Sequence, residues 1–147
     1  MKQRLLFLCE TNGLQSPMAE ALLTRIDSEH FDVISAGTSP GPLHPFTVRV
    51  MKEIDIDLSQ QIPKHLKDLR GNEFDYVITL DENSRRVRRS FPCAEEIHWQ
   101  LDEPIVMSSD SERQLRAFRI VRDQISQRIR LFVIVNVRPL EKSRSAA

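Results

Sequence analysis

Short apolar runs alternate along this chain with stretches in which apolar residues recur every three or four positions. Residues 5–8, Leu5-Leu6-Phe7-Leu8, are continuously apolar, the pattern of a parallel strand buried on both faces. Residues 31–36, residues 74–80 and the short run Ile97-His98-Trp99 read as three further strands. Between them the period changes. Residues 17–26 predict a helix, with Ser16 as N-cap and Pro17 at the first helical position. Residues 46–54 predict a second helix, residues 64–69 a short one, and residues 82–90 a basic one carrying Arg85-Arg86-Val87-Arg88-Arg89. The last helix has the plainest pattern: Leu115, Phe118, Val121, Ile125, Ile129 and Phe132 share one face. Residues 37–45 hold two glycines and three prolines and predict a loop, as do the acids, serines and proline of residues 101–109. Residues 133–137 fit either a fifth strand or the end of the last helix, and residues 138–147 predict a disordered tail.

Strand–helix alternation of this kind predicts an α/β fold: a doubly wound three-layer sandwich on a parallel sheet. The sheet has four strands, or five if residues 133–137 pair, within one domain spanning residues 1–137. Ligands in such folds sit beyond the carboxyl ends of the strands. Cys9, Gly37, Asp81 and the loop at 101–109 all follow strands, so they are expected to converge on one edge.

Charge narrows the function classes. Lys+Arg and Asp+Glu both number 21, so the net charge is +0 and nothing global favours nucleic acid or an acidic membrane. No apolar run is long enough to span a bilayer, and Met1-Lys2-Gln3-Arg4 leads into the first strand without a signal-peptide pattern. A cytoplasmic location is expected. Only Cys9 and Cys93 are present, and no spacing of cysteine and histidine suggests a metal site. In a reducing compartment such a pair is not expected to form a structural disulfide. His30, His44, His65 and His98 are scattered, without the carboxylate spacing of a triad.

The chemistry concentrates at Cys9. A strand ends in this thiol, a tight loop follows (Glu10, Thr11, Asn12, Gly13, Leu14, Gln15), and a helix opens at Ser16-Pro17. A helix N-terminus favours a thiolate over a thiol, and its N–H groups can cradle a tetrahedral oxyanion. A thiolate beneath a bound oxyanion is a nucleophile for phosphoryl or arsenyl chemistry.

The pattern resembles the low-molecular-weight protein tyrosine phosphatase and arsenate reductase superfamily, over roughly residues 4–132. That family's loop is cysteine, five residues, arginine, then serine or threonine. The resemblance places Cys9 on the nucleophile, Asn12 on the loop asparagine, Ser16 on the hydroxyl that assists the sulfur, and Gln15 on the arginine. Ser35-Ala36-Gly37-Thr38 is similar to the family's second strand. Ser16-Pro17-Met18-Ala19-Glu20 and Thr79-Leu80-Asp81-Glu82-Asn83 look like the phosphatase branch, whereas His98-Trp99-Gln100-Leu101-Asp102-Glu103-Pro104 looks like the reductase branch. Glu103 falls on the general acid that precedes a proline, with Asp102 as its fallback. Asp81 stands where thioredoxin-linked reductases carry a resolving cysteine, and Cys93 lies past the second such position, so Cys93 reads as a packing residue.

The resemblance implies cysteine-dependent oxyanion chemistry, arsenate reductase-like or phosphatase-like, through a covalent Cys9 intermediate. The expected partners are phosphate, arsenate or a phosphotyrosine protein. No cofactor is implied beyond an external thiol donor if arsenate is reduced. Gln15 sets the departure. An arginine grips two oxyanion oxygens and carries charge, while glutamine offers one neutral donor. Losing one oxyanion donor costs about 3–4 kcal/mol, so activity is expected to be attenuated. The alternative is a catalytically inactive pseudophosphatase that binds phosphate, arsenate or a phosphoprotein. Arg49, Arg85 and Arg86 are the candidates to restore the missing charge.

Overall fold

In a computed structural model, residues 1–87, 91–104 and 109–146 are described, the last nine of these as backbone only. Four parallel strands form one sheet in the order β2-β1-β3-β4: β1 Gln3–Cys9, β2 Phe31–Gly37, β3 Tyr76–Thr79 and β4 Glu95–His98. β1 lies between β2 and β3, and its residues from Leu5 to Cys9 are wholly buried. Burial on both faces is what the unbroken apolar run requires. Leu5, Phe7 and Ile78 pack on one face beneath α1 (Gln15–Asp27), α2 (Pro45–Lys52) and α4 (Ser111–Ala146). Leu6, Leu8 and Val77 turn to the other face, covered by Leu66 and Leu69 of a 3-10 turn and by Phe74.

The register sets up one working edge. Cys9 pairs with Gly37, Leu8 with Thr79, and Thr79 with His98, so all four strands end together. α3 (Glu82–Arg86) starts just past β3, capped by Asp81, whose Oδ1 accepts from Ser84 N at 2.9 Å. The basic helix expected over residues 82–90 is therefore one short turn; residues 88–90 lie outside the described residues.

Three expectations change. The fifth-strand alternative falls, because residues 133–137 belong to α4. Val137 is buried with the same core face as Phe132, and extending a packed helix costs less than starting a new edge strand. For the same reason the backbone stays helical through residues 138–146, where a disordered tail was expected. Finally, Ser16 is not an N-cap: α1 begins at Gln15, and Leu14 before it offers no side-chain cap. The hydroxyl of Ser16 is committed elsewhere.

α2 is bolted to α4 at its C-terminal end. Glu53 caps α2 and meets Arg119 as a two-pronged fork (Nε at 3.0 Å, Nη2 at 2.6 Å) and Arg122 Nη1 at 2.8 Å. Arg122 Nη1 also donates to the carbonyl of Val50 at 2.9 Å. These hydrogen bonds pull the Glu53 carboxyl down from 4.5 to about 2. A depressed carboxyl stabilises the fold fully above its unfolded value, and that stabilisation disappears as pH falls through the folded one. The side chains of Glu53 and Arg119 are 32% and 37% exposed, so solvent screens the pair to about 1 kcal/mol. Glu53→Gln is expected to lower unfolding free energy by about 1 kcal/mol at neutral pH. The gap to the parent chain should close as pH drops from 4.5 towards 2, read by urea denaturation across that range.

Candidate active site

Cys9 ends β1 at the sheet's working edge, and its Sγ lies 3.0 Å from Ser16 Oγ. Both residues are fully buried. Ser16 Oγ already accepts from Asn12 Nδ2 at 2.8 Å, so its own proton is left to donate to the sulfur. Asn12 is the hub of the loop. Its Nδ2 also donates to Ser35 Oγ at 3.0 Å, and its Oδ1 accepts from Lys64 N at 2.8 Å.

The loop turns at Asn12, which takes the left-handed conformation with φ 54°. Asparagine tolerates that region, and the three bonds above hold it there. Gly13 does not have the positive φ expected of a turn glycine; a side chain there would run into the carbonyl of Pro42. At Gly37 a Cβ would come within 2.8 Å of the backbone at Glu10, Thr11 and Asn12, so only glycine lets β2 run this close to the loop. Backbone bonds clamp the loop from outside: Ser39 N to Glu10 O at 2.7 Å, Gly41 N to Thr11 O at 3.0 Å, and His44 N to Gly13 O at 3.0 Å. On the other side Glu10 N donates to Asp81 Oδ2 at 2.9 Å.

Above this loop lies a cavity of about 400 Å³. Glu10, Thr11, Leu14 and Gln15 form its floor, Pro42 and His44 one wall, Asp81, Glu82 and Asn83 another, and Glu103 and Pro104 the rim. Of the expected residues, Gln15 and Glu103 reach it. Cys9, Asn12 and Ser16 sit beneath the floor. Asp102 does not reach it: its backbone N is tied to Gln124 Oε1 of α4 at 2.9 Å, which turns it to a separate shallow hollow with Ala117 and Ile120.

No arginine or lysine among the described residues lines the cavity. Arg85 and Arg86 pair instead with Glu82, at 3.7 and 3.3 Å, and Arg49, exposed on α2, is not among the lining residues. The expected replacements for the loop arginine therefore do not enter. Cys93 is exposed, not the packing residue expected, and precedes β4, whereas Cys9 ends β1. In a parallel sheet these are opposite edges, about 20 Å apart at ~3.3 Å per residue. No cluster of three or more histidine, cysteine, aspartate or glutamate side chains suited to a metal occurs among the described residues.

His44 is the site residue that sequence reasoning passed over. The His44-Pro45 step was its signal, because an N-cap followed by proline opens a helix. Its Nδ1 accepts from Phe46 N at 3.0 Å, and its ring stacks on Phe118 with centroids 4.7 Å apart. Accepting at Nδ1 fixes the proton on Nε2. Burial lowers the imidazole's affinity for a second proton, so His44 stands in the wall as a neutral donor.

A cysteine loop between a parallel strand and an uncapped helix, on the carboxyl edge of a doubly wound sheet, defines a thiol-based oxyanion site. Comparison with known proteins fixes the lineage. Residues 4–145 match the family model for low molecular weight phosphotyrosine protein phosphatases, and the chain belongs to that family. It is 34% identical to an arsenate reductase of Halalkalibacterium halodurans, over 89% of this chain and 95% of that protein. It is 33% identical to one of Oceanobacillus iheyensis over the same shares. Among solved structures, an arsenate reductase in oxidized state superposes with TM-score 0.74 at 26% identity, covering 86% of this chain and 93% of that one. An arsenate reductase in the phosphate binding state gives TM-score 0.72 at 25% identity, covering 89% and 96%.

Gln15 carries a cost. It is 2% exposed, and its Oε1 is buried without a hydrogen-bond partner. An unsatisfied buried acceptor costs about 1–3 kcal/mol. Gln15→Met, which keeps the shape and removes the orphan, is expected to raise stability by about 1 kcal/mol. Calorimetry should show this as a melting point about 2–4 °C higher. Ser16→Ala removes the donor to Cys9, and a hydrogen bond to a charged group is worth about 1.5–3 kcal/mol. Iodoacetamide alkylation of Cys9 at neutral pH is expected to slow by about tenfold or more.

Proposed function

We propose that this protein is an arsenate reductase-like enzyme in which Cys9 attacks a bound oxyanion and an external thiol completes the cycle. The observation that carries the reading is the buried Cys9 Sγ–Ser16 Oγ contact at 3.0 Å, backed by Asn12. A protein that only bound an anion would have no use for a donor aimed at a buried sulfur. The Cys9 thiolate displaces an oxygen of arsenate, which leaves as water once protonated, and an S–As bond forms. Glu103, on the cavity rim, is placed to relay that proton from another arsenate hydroxyl to the departing oxygen. An external thiolate then attacks Cys9 sulfur; the S–As electron pair stays on arsenic and arsenite departs. Cys9 is left in a mixed disulfide, which a second thiol reduces. Two thiols are oxidised for each As(V) reduced to As(III).

The donor has to come from outside because Cys93 stands at the far edge of the sheet. One structural relative is a thioredoxin-dependent arsenate reductase from Corynebacterium glutamicum, at 26% identity and TM-score 0.68 over 89% of this chain and 60% of that one. A small protein dithiol is accordingly the first donor to try. Cys9 does not line the cavity, so the loop must part to present the sulfur.

A second reading, phosphatase activity, is favoured by one fact: with a single cysteine at the site, water alone suffices to release a phosphocysteine. Single-turnover assays against arsenate with added thiols, and against an aryl phosphate, separate the two. Arsenite formation that vanishes in Cys9→Ser is the expected result. Gln15→Arg is expected to raise the rate by about 10². Turnover of neither substrate, with phosphate still bound, would leave the non-catalytic binding protein in place of both.

A further inference from the structure

We propose that this site holds its tetrahedral oxyanion as the protonated monoanion: His44 donates to its oxygens, and Gln15 Oε1 and Glu103 accept from its two O–H groups. The proposal rests on the oxyanion reading above and names the form of the substrate that the site takes.

The argument starts from charge. The groups facing the cavity are Glu10 from the loop, Gln15 from α1, His44 at the start of α2, Asp81 and Glu82 at the start of α3, and Glu103, with Cys9 beneath. Four are carboxylates, and no lysine or arginine joins them among the described residues. A second negative charge on the ligand meets only repulsion from these side chains.

The distribution of committed and uncommitted groups then points to a ligand. Asp81 spends both oxygens, on Glu10 N and Ser84 N. Glu10 Oε2 accepts from Asn83 Nδ2 at 2.8 Å, and Glu82 pairs with Arg85 and Arg86. Thr11 accepts from Gly13 N and Asn83 donates to Glu10, and three further polar groups have atoms left for a ligand among the described residues. Gln15 is 2% exposed and lies in the cavity floor, and its Oε1 is buried without a partner, an acceptor waiting for a hydroxyl. His44 has spent Nδ1 on Phe46 N, which leaves Nε2–H unused. Glu103 is exposed at the rim with no hydrogen bond or ion pair to a described residue. One neutral donor and two acceptors match an oxyanion that carries two hydroxyls. A dianion has at most one hydroxyl for the two acceptors and finds no charged donor to replace the absent arginine.

Calorimetric titration of the full chain with inorganic phosphate, and in parallel with sulfate, between about pH 5.5 and about pH 8.5 tests this. Phosphate affinity is expected to fall by about tenfold per pH unit above its second ionisation. Sulfate, a dianion throughout, should bind at least about tenfold more weakly than phosphate at the acidic end. His44→Asn keeps a good helix cap and cannot titrate. It should weaken phosphate binding by about tenfold and leave the pH slope unchanged. Gln15→Arg should bring sulfate up to the affinity of phosphate. Phosphate affinity that rises with pH, equal binding of sulfate, or loss of the slope in His44→Asn overturns the proposal. None of these touches Cys9-dependent turnover, so the oxyanion reading survives them. Phosphate that binds at no pH overturns the proposal as well, and the turnover assay then decides whether the oxyanion reading falls with it.

Discussion

One buried side chain holds the site in shape. Asn12 is held at φ 54° by three hydrogen bonds that reach α1 through Ser16, β2 through Ser35, and the segment before the 3-10 turn through Lys64 N. A left-handed residue costs about 1–2 kcal/mol, and these bonds offset it. Each partner then acquires a second duty. Ser16, with its lone pair occupied by Asn12, directs its proton at Cys9. Ser35 N is fixed by Glu20 Oε1 at 2.7 Å, and Glu20 Oε2 takes Gln61 Nε2 at 2.9 Å. The thiol is thus positioned by a chain of satisfied polar groups, which in a low-dielectric interior is rigid only while every member stays paired.

The parts of this molecule legible in its sequence are those where one physical demand dominates. Residues 5–8 had to be a strand buried on both faces, and they are. The α4 face from Leu115 to Phe132 had to pack, and it does. The cysteine ahead of a helix start located the site without help from composition. Local signals misled where two demands competed for one residue. Ser16-Pro17 has the form of a helix cap, but the hydroxyl is worth more against a buried sulfur than against a backbone N–H that lies next to an anion site. Asn12 takes the positive φ in the loop although Gly13 follows it, because its side chain makes three hydrogen bonds there. Residues 133–137 are β-branched and still helical, since a helix already anchored by six core contacts propagates through weak formers. His44 hid because capping, stacking and wall-lining leave no shared sequence mark.

Gln15 is where the demands of an oxyanion site and the side chain present meet least well. The fold presents position 15 at the floor of the cavity, buried and facing a helix start that favours negative charge. An arginine in that place answers the charge of the ligand. Glutamine answers only its geometry, and its buried oxygen has no partner in the chain. The surrounding carboxylates deepen the difference rather than repair it. Asp81 and Glu10 serve the loop: one receives its N–H, the other is held by Asn83. They are structural acids that a cation would ordinarily neutralise, and in its absence their field extends into the cavity.

The two cysteines show how topology limits chemistry. Parallel strands put every carboxyl end on one edge and every amino end on the other. Cys9 belongs to the first edge and Cys93 to the second, separated by the length of the sheet. No side-chain motion bridges that span, so an internal disulfide between them requires the core strands to come apart. Whatever restores Cys9 after reaction must therefore approach through the cavity that admits the oxyanion. Glu103 at its rim, Glu82 in its wall and Glu10 in its floor are acidic, which repels a free thiolate.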